Sequence, residues 1–239
     1  HGFNIISTYG NLRRLVLEGL VQESEDFLNV CEMALKLSGA VQAMRWTQLP
    51  DGEGYIYSFN GPHSLFCDTI RSCRSLVLAH QLGHFLAGEN DRHISLLERA
   101  VVHASTTSKY NVYWGKGRDV YDVPGRVAHE SLFNIVDGKY RCPSTQQGYS
   151  PFSTWTRGLS WVILGFAELA ESLPYLKEAD LDSFGGQAEV RKWMVRTAQV
   201  AADYYMAHTP ADGVPYWDTG APGLALLGDW RAEPAQYDN

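Results

Sequence analysis

Between Thr145 and Leu169 the chain reads TQQGYSPFSTWTRGLSWVILGFAEL, and the only charge before Glu168 is the guanidinium of Arg157. An arginine on a helix that is apolar nearly all round needs an anionic partner. That partner is either a buried carboxylate of the chain or a carboxylate carried by a ligand. Trp155 and Trp161 add flat aromatic faces, and Arg157 adds a planar fork that matches an acid group. Such a set suits a sugar acid. It also describes a core helix with one structural ion pair, because buried charges are often simply paired.

Two further residues have types that do proton chemistry. Asp68 follows Leu65-Phe66-Cys67 and precedes Thr69-Ile70-Arg71, so it stands where a helix N-cap belongs. Its apolar flanks would also desolvate a carboxyl group and raise its pKa, which suits general acid/base work. His129 lies in GRVAHESLFN, where a loop histidine is either solvated or functional. Other motifs fall short. His80 and His84 form HQLGH, which has Gln81 where the zinc motif carries its general base. Gly115-Lys116-Gly117 reads as a turn, with no preceding strand and no further phosphate-loop residues. The chain has no GxSxG elbow and no nucleophilic cysteine signature.

The elements that must hold these residues read as helices. Residues 1–11 form a turn-rich opening, followed by a short helix from Leu12 to Leu20. A full helix runs from Glu23 to Met44, with Phe27, Cys31, Ala34 and Leu35 on one stripe. Asp68 opens a helix from Thr69 to Leu86, Asp91 caps one that runs to Lys109, and a last one spans Gln187 to His208. The key helix starts at Ser153 or Thr154 and carries the stripe Trp155, Leu159, Val162, Phe166 and Leu169. Between helices lie two long aromatic connections. Residues 45–67 alternate well enough for a short strand or hairpin, and residues 110–147 read as irregular. Connections of that length in a compact domain are usually functional. Five or six helices of about 20 residues, each about 30 Å long, with almost no strand signal, fit an α/α toroid better than a four-helix bundle.

Composition narrows the class. The 239 residues are 45% hydrophobic and 20% charged, as in an ordinary globular domain, and the net charge of −7 argues against nucleic acid. No apolar run reaches the length of a membrane span. No basic start precedes an apolar core, and the compartment stays undecided. The four cysteines form no CxxC pair and read as free buried thiols.

The segment Gln147-Gly148-Tyr149 with Trp155, Arg157, Gly158 and Trp161 resembles the HQGYxDDSxWxRGQxW signature of unsaturated glucuronyl hydrolases (glycoside hydrolase family 88). Asp68 in SLFCDTIRS looks like the family's catalytic aspartate, which opens a helix after a hydrophobic run. His129 stands eighteen residues before Gln147, the separation of the family's histidine. Phe59 in YSFNG looks like the sugar-stacking aromatic, and VPYWD at Val214–Asp218 is similar to a later family loop. The chain departs from the signature at Pro151, Phe152 and Leu159, where the family has two aspartates and a glutamine. A second family aspartate lies in an HDxGF-like segment, of which only His1-Gly2-Phe3 stand here.

The resemblance implies a single catalytic domain over residues 1–239, all-α, covering the middle of an (α/α)6 toroid with helices missing at both ends. It implies a hydrolase that removes a 4,5-unsaturated glucuronyl residue from lyase-generated oligosaccharides, with Asp68 as the catalytic acid/base. Phe59, His129, Gln147, Trp155, Arg157 and Trp161 would bind that substrate, with no metal and no organic cofactor. The alternatives are an unsaturated rhamnogalacturonyl hydrolase of the same fold and a non-catalytic carbohydrate-binding fragment.

Overall fold

The computed structural model describes residues 2–222 and 224. His1, and with it the start of the expected HDxGF-like segment, lies outside the described residues, as does the end of the tail. The described chain is mostly helical and has the fold of part of an (α/α)6 toroid. None of the described helices is long and apolar enough to cross a membrane.

The N-terminal residues are helical rather than a loop: α1 (Gly2–Ile5), a π-wound turn (Ile6–Gly10) and α2 (Asn11–Leu17). Packing against the two following helices overrides the turn-forming residues there. Helix α3 (Glu25–Met44) begins where Ser24 Oγ accepts the Phe27 N–H at 3.2 Å, with Glu25 and Asp26 in the first turn against the helix dipole. Cys31 and Leu35 of the expected stripe are buried, and Phe27 and Ala34 lie at its half-buried edge. On the opposite side Val30, Met33, Leu37, Val41 and Met44 form an exposed apolar stripe.

Asp68 is not an N-cap. The segment Cys67–Ser72 is 3-10 helix capped at Phe66, and α4 proper runs only from Cys73 to Gln81. It stops because Gly83, at φ +73°, returns its N–H to His80 O while His84 N–H reaches Ala79 O, a Schellman closure. Asp91 is likewise no cap, since it sits in the turn between β4 (Leu86–Ala87) and β5 (His93–Ile94). Ser95 caps α5 (Leu96–Tyr110) instead, by accepting the Glu98 N–H.

The strand signal was underread. Strands β1 (Trp46–Gln48) and β2 (Gly54–Ile56) form the hairpin foreseen within residues 45–67. The stretch 110–147 is not irregular throughout: β6 (Glu130–Phe133) and β7 (Tyr140–Ser144) join β3 (Ser64–Phe66) in an antiparallel sheet of order β3-β6-β7. These strands are three to five residues long and are set by pairing across the chain, so local periodicity carries little trace of them.

Helix α6 (Thr156–Ser172) buries the expected stripe of Trp155, Leu159, Val162, Phe166 and Leu169. It packs on α7 (Gln187–Ala207), on α4 and on Cys67–Ser72. Neither Ser153 nor Thr154 caps it; the Thr154 hydroxyl instead bonds the backbone of Val127. Two glycines seven apart make the approach to Cys67–Ser72 possible. A Cβ on Gly158 would lie 3.0 Å from Cys67 Sγ, and one on Gly165 would lie 2.6 Å from Ile70 Cγ2 and 3.1 Å from the Arg71 backbone nitrogen. Glycine inside a helix costs about 1 kcal/mol relative to alanine, so close packing must offset that cost. Gly165→Ala should therefore destabilise the fold by about 1–3 kcal/mol through overpacking, despite better helix propensity. Urea denaturation would measure it; an unchanged or higher midpoint would mean the contact is slack.

Candidate active site

The site is assembled by the ladder between β3 and β6. Leu65 pairs with Ser131 and Phe66 with Glu130, and one step further the Cys67 N–H donates to His129 O at 2.9 Å. This pairing brings the chain on either side of Cys67 and His129 together, so Asp68 meets the imidazole. His129 Nε2 stands 3.7 Å from Asp68 Oδ1, just beyond direct hydrogen bonding.

The histidine is nearly enclosed, at 4% exposure, between Phe66 and Trp155, with each ring centroid 4.7 Å away. Its Nδ1 accepts the Gln146 backbone N–H at 3.1 Å and lies 3.2 Å from Thr145 Oγ1. A nitrogen that accepts a backbone N–H carries no proton, so the neutral ring has its proton on Nε2, toward Asp68. Burial lowers the imidazole to about 4, Glu130 opposes that shift, and the Arg157 charge adds to it.

Asp68 moves the other way. Burial raises its carboxyl group, against the hydrogen bond from Cys67 Sγ at 3.4 Å and the attraction of Arg157. Burial and the adjacent Asp68 keep the Cys67 thiol well above its ordinary range, so it remains a donor. A carboxyl group that holds its proton more readily than usual, beside an imidazole that does not, is an arrangement for delivering a proton.

Arg157 is exposed rather than buried and has no carboxylate within ion-pair distance among the described residues. Its guanidinium lies 4.6 Å over the Trp155 ring and donates to Gln147 Oε1 at 3.5 Å. Of the two partners left open by the sequence, a carboxylate of the chain is not found among the described residues: the helix start faces outward, and the guanidinium lies on the ring of Trp155. Phe59 stands 76% exposed, edge-on to Phe66 with centroids 5.2 Å apart. Thus Phe59, Phe66, His129, Trp155 and Arg157 form one run of ring contacts beside Asp68, with Gln147 at its end.

Trp161 does not join that run. Its ring is covered by Arg71, at 4.6 Å, and by Phe3, stacked at 6.2 Å. Of the positions that depart from the signature, Leu159 is core, whereas Phe152 is exposed and stacks on Tyr121 at 4.6 Å.

Several polar residues at the site were not read from the sequence. Glu130 is 1% exposed, and Asn60, Ser64 and Gln146 donate to it. Asp218, fully buried, accepts the Tyr149 N–H at 2.9 Å and so docks the VPYWD loop on the signature loop. That motif was visible in the sequence, but Glu130 gave no signal beyond being next to His129. Elsewhere, His80 pairs with Asp180 at 3.2 Å, and no group of three or more metal-ligating side chains gathers among the described residues. All four thiols are free, and Cys142 is exposed rather than buried.

No protein-family model matches the chain. It is 30% identical over 142 residues to an unsaturated glucuronyl hydrolase of Formosa agariphila, covering 59% of this chain and 28% of that protein. It is also 36% identical over 94 residues to the same-named protein of Bacillus sp. strain GL1, covering 39% of this chain and 21% of that protein. The chain is thus similar, over part of its own length and of theirs, to unsaturated glucuronyl hydrolases. Two solved structures of that name agree in fold. One, from Bacillus sp. GL1, has TM-score 0.56 at 23% identity and covers 81% of this chain and 44% of its own. The other, described as specific for heparin, has TM-score 0.63 at 21% identity and covers 93% and 49%. The chain thus spans about half of these two solved structures and less than a third of the curated relatives by aligned sequence.

The electrostatics of the site are measurable without a substrate. The His129 ring should titrate near 4 by NMR, and Arg157→Ala should raise that value, because the cation disfavours imidazolium. A ring titrating at an ordinary 6.5, or one unmoved by the substitution, would contradict the desolvated, charge-coupled pair.

Proposed function

We propose that residues 1–239 belong to one catalytic unit of a glycoside hydrolase that acts on a 4,5-unsaturated glucuronyl residue at the end of an oligosaccharide. What carries the reading is the pairing of Asp68 and His129, 3.7 Å apart, in a buried environment that raises the proton affinity of the carboxyl and lowers that of the imidazole. Family relatives lend support. The Bacillus structure is described as responsible for glycosaminoglycan degradation, and a further solved chain, 21% identical with TM-score 0.55, is described with dGlcA-Glc-Rha-Glc.

In this reading the sugar lies against the exposed face of Phe59, with its carboxylate toward Arg157. Asp68, protonated, gives its proton to C4 of the vinyl ether, and positive charge develops at C5 and the ring oxygen. The carboxylate left behind takes a proton from water as that water adds to C5, which restores Asp68. The product is a hemiketal. It opens to a ketone at C5, and the freed hemiacetal at C1 collapses to an aldehyde and expels the neighbouring sugar as an alcohol. One water is consumed, and one carboxyl group serves both proton transfers. In this reading Gln147 and His129 hydrogen-bond the sugar, and no step needs a metal or an organic cofactor.

Asp68→Asn should lower turnover about 10²- to 10⁴-fold while the variant still folds and binds. The assay is the loss of ultraviolet absorbance as the double bond conjugated to the carboxylate disappears. A folded Asp68→Asn protein that consumes that absorbance at the wild-type rate would remove Asp68 from the mechanism.

A second measurement reads the charge coupling. The acid must be protonated, so kcat/KM falls as pH rises through the Asp68 pKa. Arg157 favours the ionised form, so Arg157→Ala should raise that pKa and move the alkaline limb to higher pH, along with a higher KM from the lost carboxylate contact. A limb that stays put or moves down would mean another group controls it.

A further inference from the structure

We infer that Glu130 is a positioning residue that fixes the spacing of the Phe59 turn and the Gln147 loop, gripping one of them with each carboxylate oxygen. The inference rests on the reading of the run from Phe59 to Gln147 as the substrate site.

The observations concern three separated pieces of chain. Glu130 Oε1 accepts Asn60 Nδ2 at 2.9 Å and the Ser64 hydroxyl. Asn60 directly follows Phe59, and its own backbone N–H is held by Ser58 Oγ, which in turn shares a hydrogen bond with Ser64 Oγ at 2.7 Å. Glu130 Oε2 accepts Gln146 Nε2 at 3.3 Å. Gln146 directly precedes Gln147, and its backbone N–H is the group that fixes the His129 tautomer. The carboxylate therefore ties the Phe59 turn and the Gln147 loop to the strand that delivers His129, while touching none of the atoms that would react.

Only an ionised carboxylate can do this. Every group facing it is a donor, and carboxylate offers two acceptor oxygens with about four lone-pair sites. Burial pushes the Glu130 carboxyl up, but hydrogen bonds from Ser64, Asn60, Gln146 and Ser144 outweigh burial and hold it below its ordinary range. A glutamine of the same shape replaces one acceptor by an NH2 group, which turns a donor toward a donor. One of the two loops must then let go.

The test is Glu130→Gln in the intact protein, read two ways. Amide hydrogen exchange should rise in residues 58–61 or 145–148, or both, and stay unchanged in α5 and α7. Steady-state kinetics on an unsaturated disaccharide should show KM up about tenfold with kcat within a factor of three, because the loops orient the sugar while Asp68 delivers the proton. Gln146→Glu added to Glu130→Gln restores one amide–carboxylate pair with the partners exchanged, and should recover most of the KM. Unchanged exchange in both loops would overturn the inference. A fall in kcat at constant KM would also overturn it, by placing Glu130 in the proton chemistry instead. If the wild-type protein leaves the disaccharide untouched, the functional reading fails, and the exchange measurement still decides whether Glu130 holds the loops.

Discussion

Everything at the site depends on one backbone hydrogen bond, from the Cys67 N–H to the carbonyl of His129. It extends the β3–β6 ladder by one rung past Phe66 and Glu130. Because ladder partners sit within about 5 Å of one another, it forces residues about 60 apart in sequence into contact. With that rung in place, a helix start and a loop histidine become one constellation. Without it, Asp68 would be a surface carboxyl and His129 a solvated ring.

The second constraint is desolvation acting in opposite senses. The same apolar enclosure of Phe66, Trp155 and the Gly158 face of α6 raises a carboxyl group and lowers an imidazole. Two groups that would both be ionised near pH 5 in water are thereby driven toward their neutral forms. The buried pair thus avoids the cost of an enclosed ion pair. Arg157 lies outside that enclosure, on the Trp155 ring, where its cation stays hydrated and still acts on both neighbours. Burying it with a carboxylate partner, one of the two readings the helix pattern left open, would have spent the charge on the fold.

The toroid explains how such short strands persist. Cys67–Ser72 lies on α6 through Gly158 and Gly165, and the VPYWD loop closes on the start of α6 through Thr156 and on the signature loop through Asp218. The sheet is a clasp across connections whose ends the helices already hold close, which removes most of the entropy cost of pairing them.

The stripe Trp155, Leu159, Val162, Phe166 and Leu169 was readable because a helix repeats its burial every 3.6 residues, and the signature around Gln147 and Arg157 was readable because its spacing is local. Asp68 and His129 could be singled out by residue type and flanking sequence, but their roles came by resemblance. That Asp68 is no cap, that Arg157 faces outward, that Trp161 is covered by Arg71 and Phe3, and that Glu130 bridges two loops were decided by tertiary structure. Each turns on which distant backbone lies alongside. A three-residue strand or a single buried carboxylate has no period of its own to announce that partner, so the amino-acid order determined the helices and the chemical inventory, and long-range pairing determined the site.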